Sequence, residues 1–378
     1  MLHSIFSFVR PYTRSSFCRL NPRILGRRKL SSQHERRKIR IMILSDTHGS
    51  ELKDLSLPRA DVVLHCGDLT KNSRSEDFQR TLAMLCAIDA PLKLAIPDNH
   101  DFSLEPDYWI VPAQTSEDED EDGADAKASW ELLRRAARRD SIFLLPQGMH
   151  IFVLPLDAGG GGGGARLRLF TSPPTPRLGN WGFQYDRSNP RKWAIPLITP
   201  KGDGTVDVVM THGPPRGIRD GTGMMGQGGM VAGAGCAGLL AAVECARPRV
   251  HCFGYIHGAW GAELVAWKRE MDASGAGGPS APIFGNLVHA QRSRVVASLP
   301  LASETTGGGE EEAGCFAVDI SPDGEHAVER GSQTLFVNAA VEPRSRPRRM
   351  PWLVDMDLPV AGEEDAAAAA ETMSRLLL

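Results

Sequence analysis

Five short apolar runs in this chain each end in residues able to hold a metal ion. IMIL (41–44) is followed by Ser45, Asp46, Thr47, His48 and Gly49. VVLHC (62–66) runs into Gly67 and Asp68, and LKLAI (92–96) into Asp98, Asn99, His100 and Asp101. VDVVM (206–210) precedes Thr211, His212 and Gly213, and RVHCFG (249–254) precedes Tyr255, Ile256 and His257. Carboxylate, imidazole and amide oxygen together suit Mn, Fe or Zn better than Ca, which prefers oxygen alone. Taken singly, each residue has a plainer reading: His212 before Gly-Pro-Pro caps a turn, and Asp68 after Gly67 makes an Asx turn. Their joint occurrence, each after an apolar run, points to metal chemistry.

Such residues act together only if the elements that carry them bring them to one place. The runs are short, β-branched and bounded by turn residues, which predicts buried strands in an α/β fold. Sheets of that class place ligands at the C-terminal ends of their strands, where all five clusters fall. At a strand end, Asp46 and His48 are two apart, so their side chains leave the same side.

The same residues resemble the calcineurin-like metallophosphoesterases, whose signature is DxH, GD, GNHD/E, a strand-end His and GHxH. Here it reads SDTHG (45–49), GDLT (67–70), DNHD (98–101), THGPP (211–215) and GYIHGAWG (254–261). SPPTPRLGNWGFQY (172–185), RKWAIP (191–196) and FVNAA (336–340) extend the likeness to the branch of brain metallophosphoesterase-domain proteins. The resemblance implies an αββα sandwich, two packed mixed sheets flanked by helices, with a two-metal centre between strand ends. It implies Asp46, His48 and His257 on one metal, Asp68 bridging, Asn99 and His212 on the second, and His100 assisting the leaving group. Two cations about 3.5–4 Å apart lower the pKa of a bridging water and clamp a phosphoryl group, so the expected nucleophile is a metal-bridging hydroxide. An adjacent imidazole protonates the departing alkoxide, worth roughly 10²–10⁴-fold. His100, with Asp101 beside it, is the candidate acid.

Two positions depart from the pattern. Tyr255 stands where GHxH has its first His, and a phenol with a free pKa near 10 is a weak ligand, which predicts a weakened second site and slow turnover. Asp98 replaces the Gly of GNHD/E, either adding negative charge near an anionic substrate or pointing away to solvent. The expected function is hydrolysis of a phosphate ester, a phosphodiester first, with one or two Mn, Fe or Zn ions. The contrasting expectation is a weakly active or inactive module of this fold that binds a nucleotide or a protein partner.

The 378 residues carry 43 Lys and Arg against 46 Asp and Glu, a net charge of −3 that joins two unlike parts. Residues 1–40 hold eleven basic residues and one acid, which leaves 41–378 at −13. A body so acidic argues against a nucleic-acid polymer as partner, because phosphate backbones are held by Lys and Arg. No run approaches 18 apolar residues, so no membrane span is expected. The seven scattered cysteines lack a CxxC pair and suit a reducing compartment.

The basic leader, 1–38, reads as a mitochondrial transit peptide or a disordered arm, which places the protein in mitochondria or cytoplasm and not outside the cell. A metal-centre domain is expected over 39–342, interrupted by insertions at 117–125 (seven acids), 159–164 (six glycines) and 270–313. Residues 343–378 are expected to be a tail with a short Ala-rich helix. The Gly-rich stretch 221–238 lacks the GKS/T ending of a phosphate loop and suits a flexible lip of the cleft, followed by a helix at about 236–246. Residues 130–139 are expected to form an exposed amphipathic helix.

Overall fold

The computed structural model describes residues 35–52, 56–105, 119–155, 164–187, 191, 193, 195, 206–225, 231–268, 293–299, 311–312, 314–341 and 349–377. The chain opens with β1 (Arg36–Leu44), β2 (Val62–His65), helix α1 (Ser75–Ala87) and β3 (Lys93–Ala95). Helix α2 (Glu119–Asp140) leads to β4 (Ile142–Leu144), β5 (Gly148–Leu154) and β6 (Ala165–Ser172). Then come β7 (Thr175–Pro176), β8 (Gln184–Tyr185), β9 (Val208–Thr211), β10 (Gly221–Met225), β11 (Val231–Gly233) and α3 (Ala237–Ala246). The last part holds β12 (Val250–Phe253), β13 (Gly261–Trp267), β14 (Ser293–Leu299), β15 (Glu311–Glu312) and β16 (Cys315–Asp319). It ends with β17 (Gln333–Asn338), β18 (Trp352–Pro359) and α4 (Glu363–Leu376).

Two seven-stranded mixed sheets result, ordered β15-β16-β18-β1-β2-β3-β4 and β14-β13-β17-β12-β9-β6-β5. The runs β1–β2–β3–β4 and β6–β9–β12–β17 are parallel, so each delivers several C-terminal ends to one rim. Alternation along the strands sets the layers. Ile39, Ile41 and Ile43 of β1 join Val208, Met210, Val250, Cys252, Leu335 and Val337 in one buried cluster between the sheets. Met42 and Leu44, on the other face, pack with Met84 and Leu85 of α1. On the second sheet Val209, Phe253 and Phe336 pack outward on Leu239, Leu240 and Val243 of α3. The order helix, sheet, sheet, helix is the expected α/β sandwich. Each such aliphatic side chain contributes about 1.5–3 kcal/mol on burial.

Several boundaries differ from the sequence expectation. The supposed tail is part of the fold: β18 pairs antiparallel with β1 from Arg36↔Pro359 to Ile43↔Trp352, in the middle of the first sheet. Its sequence, WLVDMDLP, alternates as a half-buried strand should, and the preceding PRSRPRR hid that. The Ala-rich helix is present as α4, and Thr372 Oγ1 from it reaches the Ile151 amide of β5. The leader ends sooner than expected, since Arg36–Lys38 already belong to β1; residues 1–34 lie outside the described residues. The acidic run is not wholly a loop, because α2 starts at Glu119. Helix α2 is amphipathic, with Leu133 and Ala136 buried. Strands β14 and β15 fall within 270–313, and the 159–163 glycines lie outside the described residues. The Gly-rich stretch forms an antiparallel ribbon of β10 and β11, followed by α3. No described helix is long and apolar enough to cross a membrane.

Candidate metal centre

The five clusters meet at the facing rims of the two sheets. Backbone bonds lace the loop after β1 to the loop after β2: the Asp46 amide donates to Gly67 O (3.0 Å), His48 to Asp68 O (3.1 Å) and Gly49 to Leu69 O (2.9 Å). Within the second sheet the Gly254 amide donates to His212 O (2.9 Å), and across the gap the Tyr255 amide donates to both Asp46 oxygens (3.1 and 3.2 Å). Gly254 is required there, because a Cβ would stand 2.0 Å from Asp46 Oδ2. Gly67 has φ +103°, and its Cβ would stand 2.6 Å from His212 Nδ1. Asp46, His48 and Asp68 all adopt left-handed φ values (58°, 49° and 54°), a conformation that costs energy and clusters at functional sites.

These constraints bring the ligand atoms of Asp46, His48 and His257 within 4.8 Å of one another, and likewise those of Asp46, Asp68 and His212. His257 Nε2 lies 3.1 Å from Asp46 Oδ1 and 3.3 Å from His48 Nε2. Asp68 Oδ2 lies between the two groups, 3.7 Å from His48 Nε2 and 3.4 Å from His212 Nε2. His48 Nδ1 is bonded to Thr70 O (3.1 Å) and His212 Nδ1 to Cys66 O (2.7 Å), so both rings turn Nε2 inward. Carbonyl partners on Nδ1 are the usual device for orienting ligand imidazoles. His212 Nε2 and Asn99 Oδ1 are buried without a hydrogen-bond partner. Orphaned acceptors that converge in this way fit a cation, since leaving them unsatisfied is costly. Burial alone would push the Asp46 carboxyl up, but the hydrogen bond from His257 and the nearby imidazoles hold it below the usual range.

Of the two residues expected to act in proton transfer, His100 lines the cleft and Asp101 does not. His100 Nδ1 is bonded to Lys71 O (2.7 Å), and the His100 ring lies edge-on to His48 with centroids 4.9 Å apart. Asp101 is fully buried and does not orient the His100 ring. Its carboxylate accepts from Leu69 N (3.1 Å), Thr70 N (2.8 Å), Thr70 Oγ1 (2.7 Å) and Asp98 N (3.0 Å), so it clamps the 68–70 loop to the 98–101 loop. The i,i+1 spacing that suggested a dyad sends the two side chains apart. Burial and the charge of Asp68 raise its carboxyl to about 7 against these bonds.

Asp98 points inward, which overturns the solvent-facing alternative. It is fully buried, and burial pushes its carboxyl well above the usual range. Tyr255 lies edge-on to His212 with ring centroids 5.4 Å apart, and burial pushes its phenol up to about 12. The cleft, about 410 Å³, is lined by His48, Ser50, Asp68, Lys71, Asn99, His100, Tyr255 and His257. Sequence reasoning gave no role to Trp181, which is 41% exposed with its ring centroid 4.3 Å from that of His100. The signal was an aromatic residue in a turn, GNWGF, whose Gly182 amide donates to Asn99 O (3.2 Å).

Beneath the ligands each sheet carries a matching strut. His65 Nε2 is bonded to Thr47 Oγ1 and His251 Nε2 to Thr211 Oγ1, both at 2.9 Å. Burial lowers both imidazoles to about 3. Their folded pKa lies below the unfolded value near 6.5, so their contribution is complete above pH 6.5 and is lost as pH falls toward 3. At pH 5 the loss is about 2 kcal/mol for each. Urea midpoints at pH 7 and pH 5 should therefore fall less for His251→Gln than for wild type, by about 2 kcal/mol in unfolding free energy. An equal fall in both proteins would remove His251 from this account.

A family model described as calcineurin-like phosphoesterase matches residues 39–237. The chain is 26% identical over 247 residues to metallophosphoesterase domain-containing protein 1 of Homo sapiens, covering 62% of this chain and 65% of that protein. It is 29% identical over 232 residues to probable rhamnogalacturonate lyase C of Emericella nidulans, covering 61% of this chain and 18% of that one. It thus spans less than two thirds of the length of these relatives. Among solved structures, purple acid phosphatase PPD1 from yellow lupin seeds matches with a TM-score of 0.33 and 10% identity, covering 80% of this chain and 44% of that one. Tyr255 and His257 lie beyond the stretch matched by the family model, and the fold returns them to the same rim.

Proposed function

The chain belongs to the calcineurin-like phosphoesterase family, and on that premise we propose that it hydrolyses a phosphate ester, a phosphodiester first, with divalent metal ions. The reading is carried by the convergence of the Asp46, His48, Asp68, His212 and His257 ligand atoms, with His212 Nε2 and Asn99 Oδ1 buried there without a hydrogen-bond partner. Asp46, His48 and His257 would hold one ion and Asn99 and His212 another, with Asp68 between them. Bound ions of this kind polarise a phosphoryl oxygen and bring the pKa of water near 7.

The chain's own groups supply the rest. With Nδ1 of His100 held by Lys71 O, its Nε2 is the atom free to deliver a proton to the departing oxygen. Lys71 is the one Lys or Arg among the described residues lining the cleft, which suits the single negative charge of a diester better than the double charge of a monoester. Trp181 beside His100 offers an exposed indole face to a planar leaving group.

Purified protein with Mn²⁺ should therefore turn over bis(p-nitrophenyl) phosphate faster than p-nitrophenyl phosphate. The reverse order would discard the diester preference. Absence of turnover in protein that binds both metal and nucleotide would favour the binding module, the reading that Tyr255 supports. Trp181→Ala should lower kcat/KM about 10-fold for aryl leaving groups, the size of one stacking contact, and leave alkyl leaving groups unchanged. An equal loss for both classes would make Trp181 a support for His100 rather than a reader of the substrate.

A further inference from the structure

We propose that Tyr255 binds a non-bridging oxygen of the substrate's phosphoryl group through its hydroxyl, acting as a donor in the place where the GHxH signature has its first His. This rests on the phosphoester reading above and deepens it. Tyr255 lines the cleft with His48, Asp68, Asn99, His100 and His257. No described residue bonds to its hydroxyl, and its hydrogen bonds run through the amide to both Asp46 oxygens (3.1 and 3.2 Å). A phenol keeps its proton at pH 7, so it offers the cleft an O–H donor. The anionic oxygens of a phosphoryl group are suited to take it, because a hydrogen bond to a charged acceptor is roughly twice as strong as a neutral one.

Place and rigidity support this. Lys71 and His100 follow β2 and β3 of the first sheet and stand together, with His100 Nδ1 2.7 Å from Lys71 O. Tyr255 follows β12 of the second sheet, so it meets a phosphoryl group in the cleft from the facing rim. Such a group then has donors on both sides, Lys71 and His100 on one and Tyr255 on the other. The ring is held edge-on to His212 with centroids 5.4 Å apart, and the backbone stands at φ 67°. A bulky residue in the left-handed region is a strained outlier that persists only where its surroundings fix it. Here the Asp46 carboxylate does so, and the same group is a candidate ligand of the first ion. A donor held in advance needs no reorganisation when charge develops on the phosphoryl oxygens.

Tyr255→Phe tests this, because it removes the hydroxyl and keeps the ring, and no described residue needs that hydroxyl for folding. In the full chain loaded with Mn²⁺, affinity for inorganic phosphate, read by titration calorimetry, should fall about 10–100-fold, the size of one hydrogen bond to a charged group. For a phosphodiester, kcat/KM should fall over the same range, while Mn²⁺ affinity and Tm stay as in wild type. Unchanged phosphate affinity in Tyr255→Phe would overturn the proposal and leave Tyr255 a filler of space. Weakened Mn²⁺ binding in that variant would overturn it by making Tyr255 a metal ligand, and so would a loaded wild type that takes up no phosphate. If wild type hydrolyses no ester but Tyr255→Phe still weakens phosphate binding, the assignment of Tyr255 stands and the hydrolase reading falls.

Discussion

Asp68→Ala should lower kcat/KM for any phosphate ester by at least about 10³-fold, while far-UV circular dichroism stays unchanged. The carboxylate faces both halves of the centre: Oδ2 lies within 3.7 Å of His48 Nε2 and 3.4 Å of His212 Nε2, and Oδ1 accepts the His100 amide at 3.2 Å. On the proposed reading each ion would lose a ligand without it, and the hydrogen bond that holds the His100 loop would be lost. Metal assistance is worth several kcal/mol, and each 1.4 kcal/mol is tenfold in rate. His48→Ala should fall to a similar floor, and the double variant no lower, because groups that act as a unit are not additive. Activity within tenfold of wild type in either single variant would remove the cluster from the chemistry.

The second large effect is on stability. Asp101→Ala should cost about 3–5 kcal/mol of unfolding free energy, read from urea midpoints at pH 8. It strands the amides of Leu69, Thr70 and Asp98, while the Thr70 hydroxyl turns to His100 O at 2.9 Å; each buried unsatisfied donor costs about 1–3 kcal/mol, offset where water enters the gap. Metal binding should weaken as well, since the clamp sets Asp68 against Asn99.

The rim was legible because every candidate ligand follows an apolar strand, so residue type and place in the chain carried the same message. Asp46, His48, Asp68, Asn99, His212 and His257 all reach it. The directions of side chains that leave a turn were not legible. Asp98 and Asp101 flank the Asn99-His100 pair, and both turn into the protein, one toward His212 and the other under Thr70. Turn conformation decides this, and it depends on the partner loop after β2, some thirty residues away. Strand β18 was missed for a different reason. Its alternation was readable, but its Arg- and Pro-rich approach resembles a solvated tail, and only pairing with β1 shows otherwise.

That pairing has a consequence for how the protein is made. Strand β1 carries Asp46 and His48 at its end, yet its neighbour β18 is synthesised roughly 300 residues later, about 15–60 s of translation. Until then the nascent chain presents β1 with one edge bare, and Ile39, Ile41 and Ile43 lack much of their cover. Contacts so distant along the chain also close slowly. The rim that carries Asp46 and His48 is therefore completed late in synthesis, once β18 is there to pair with β1.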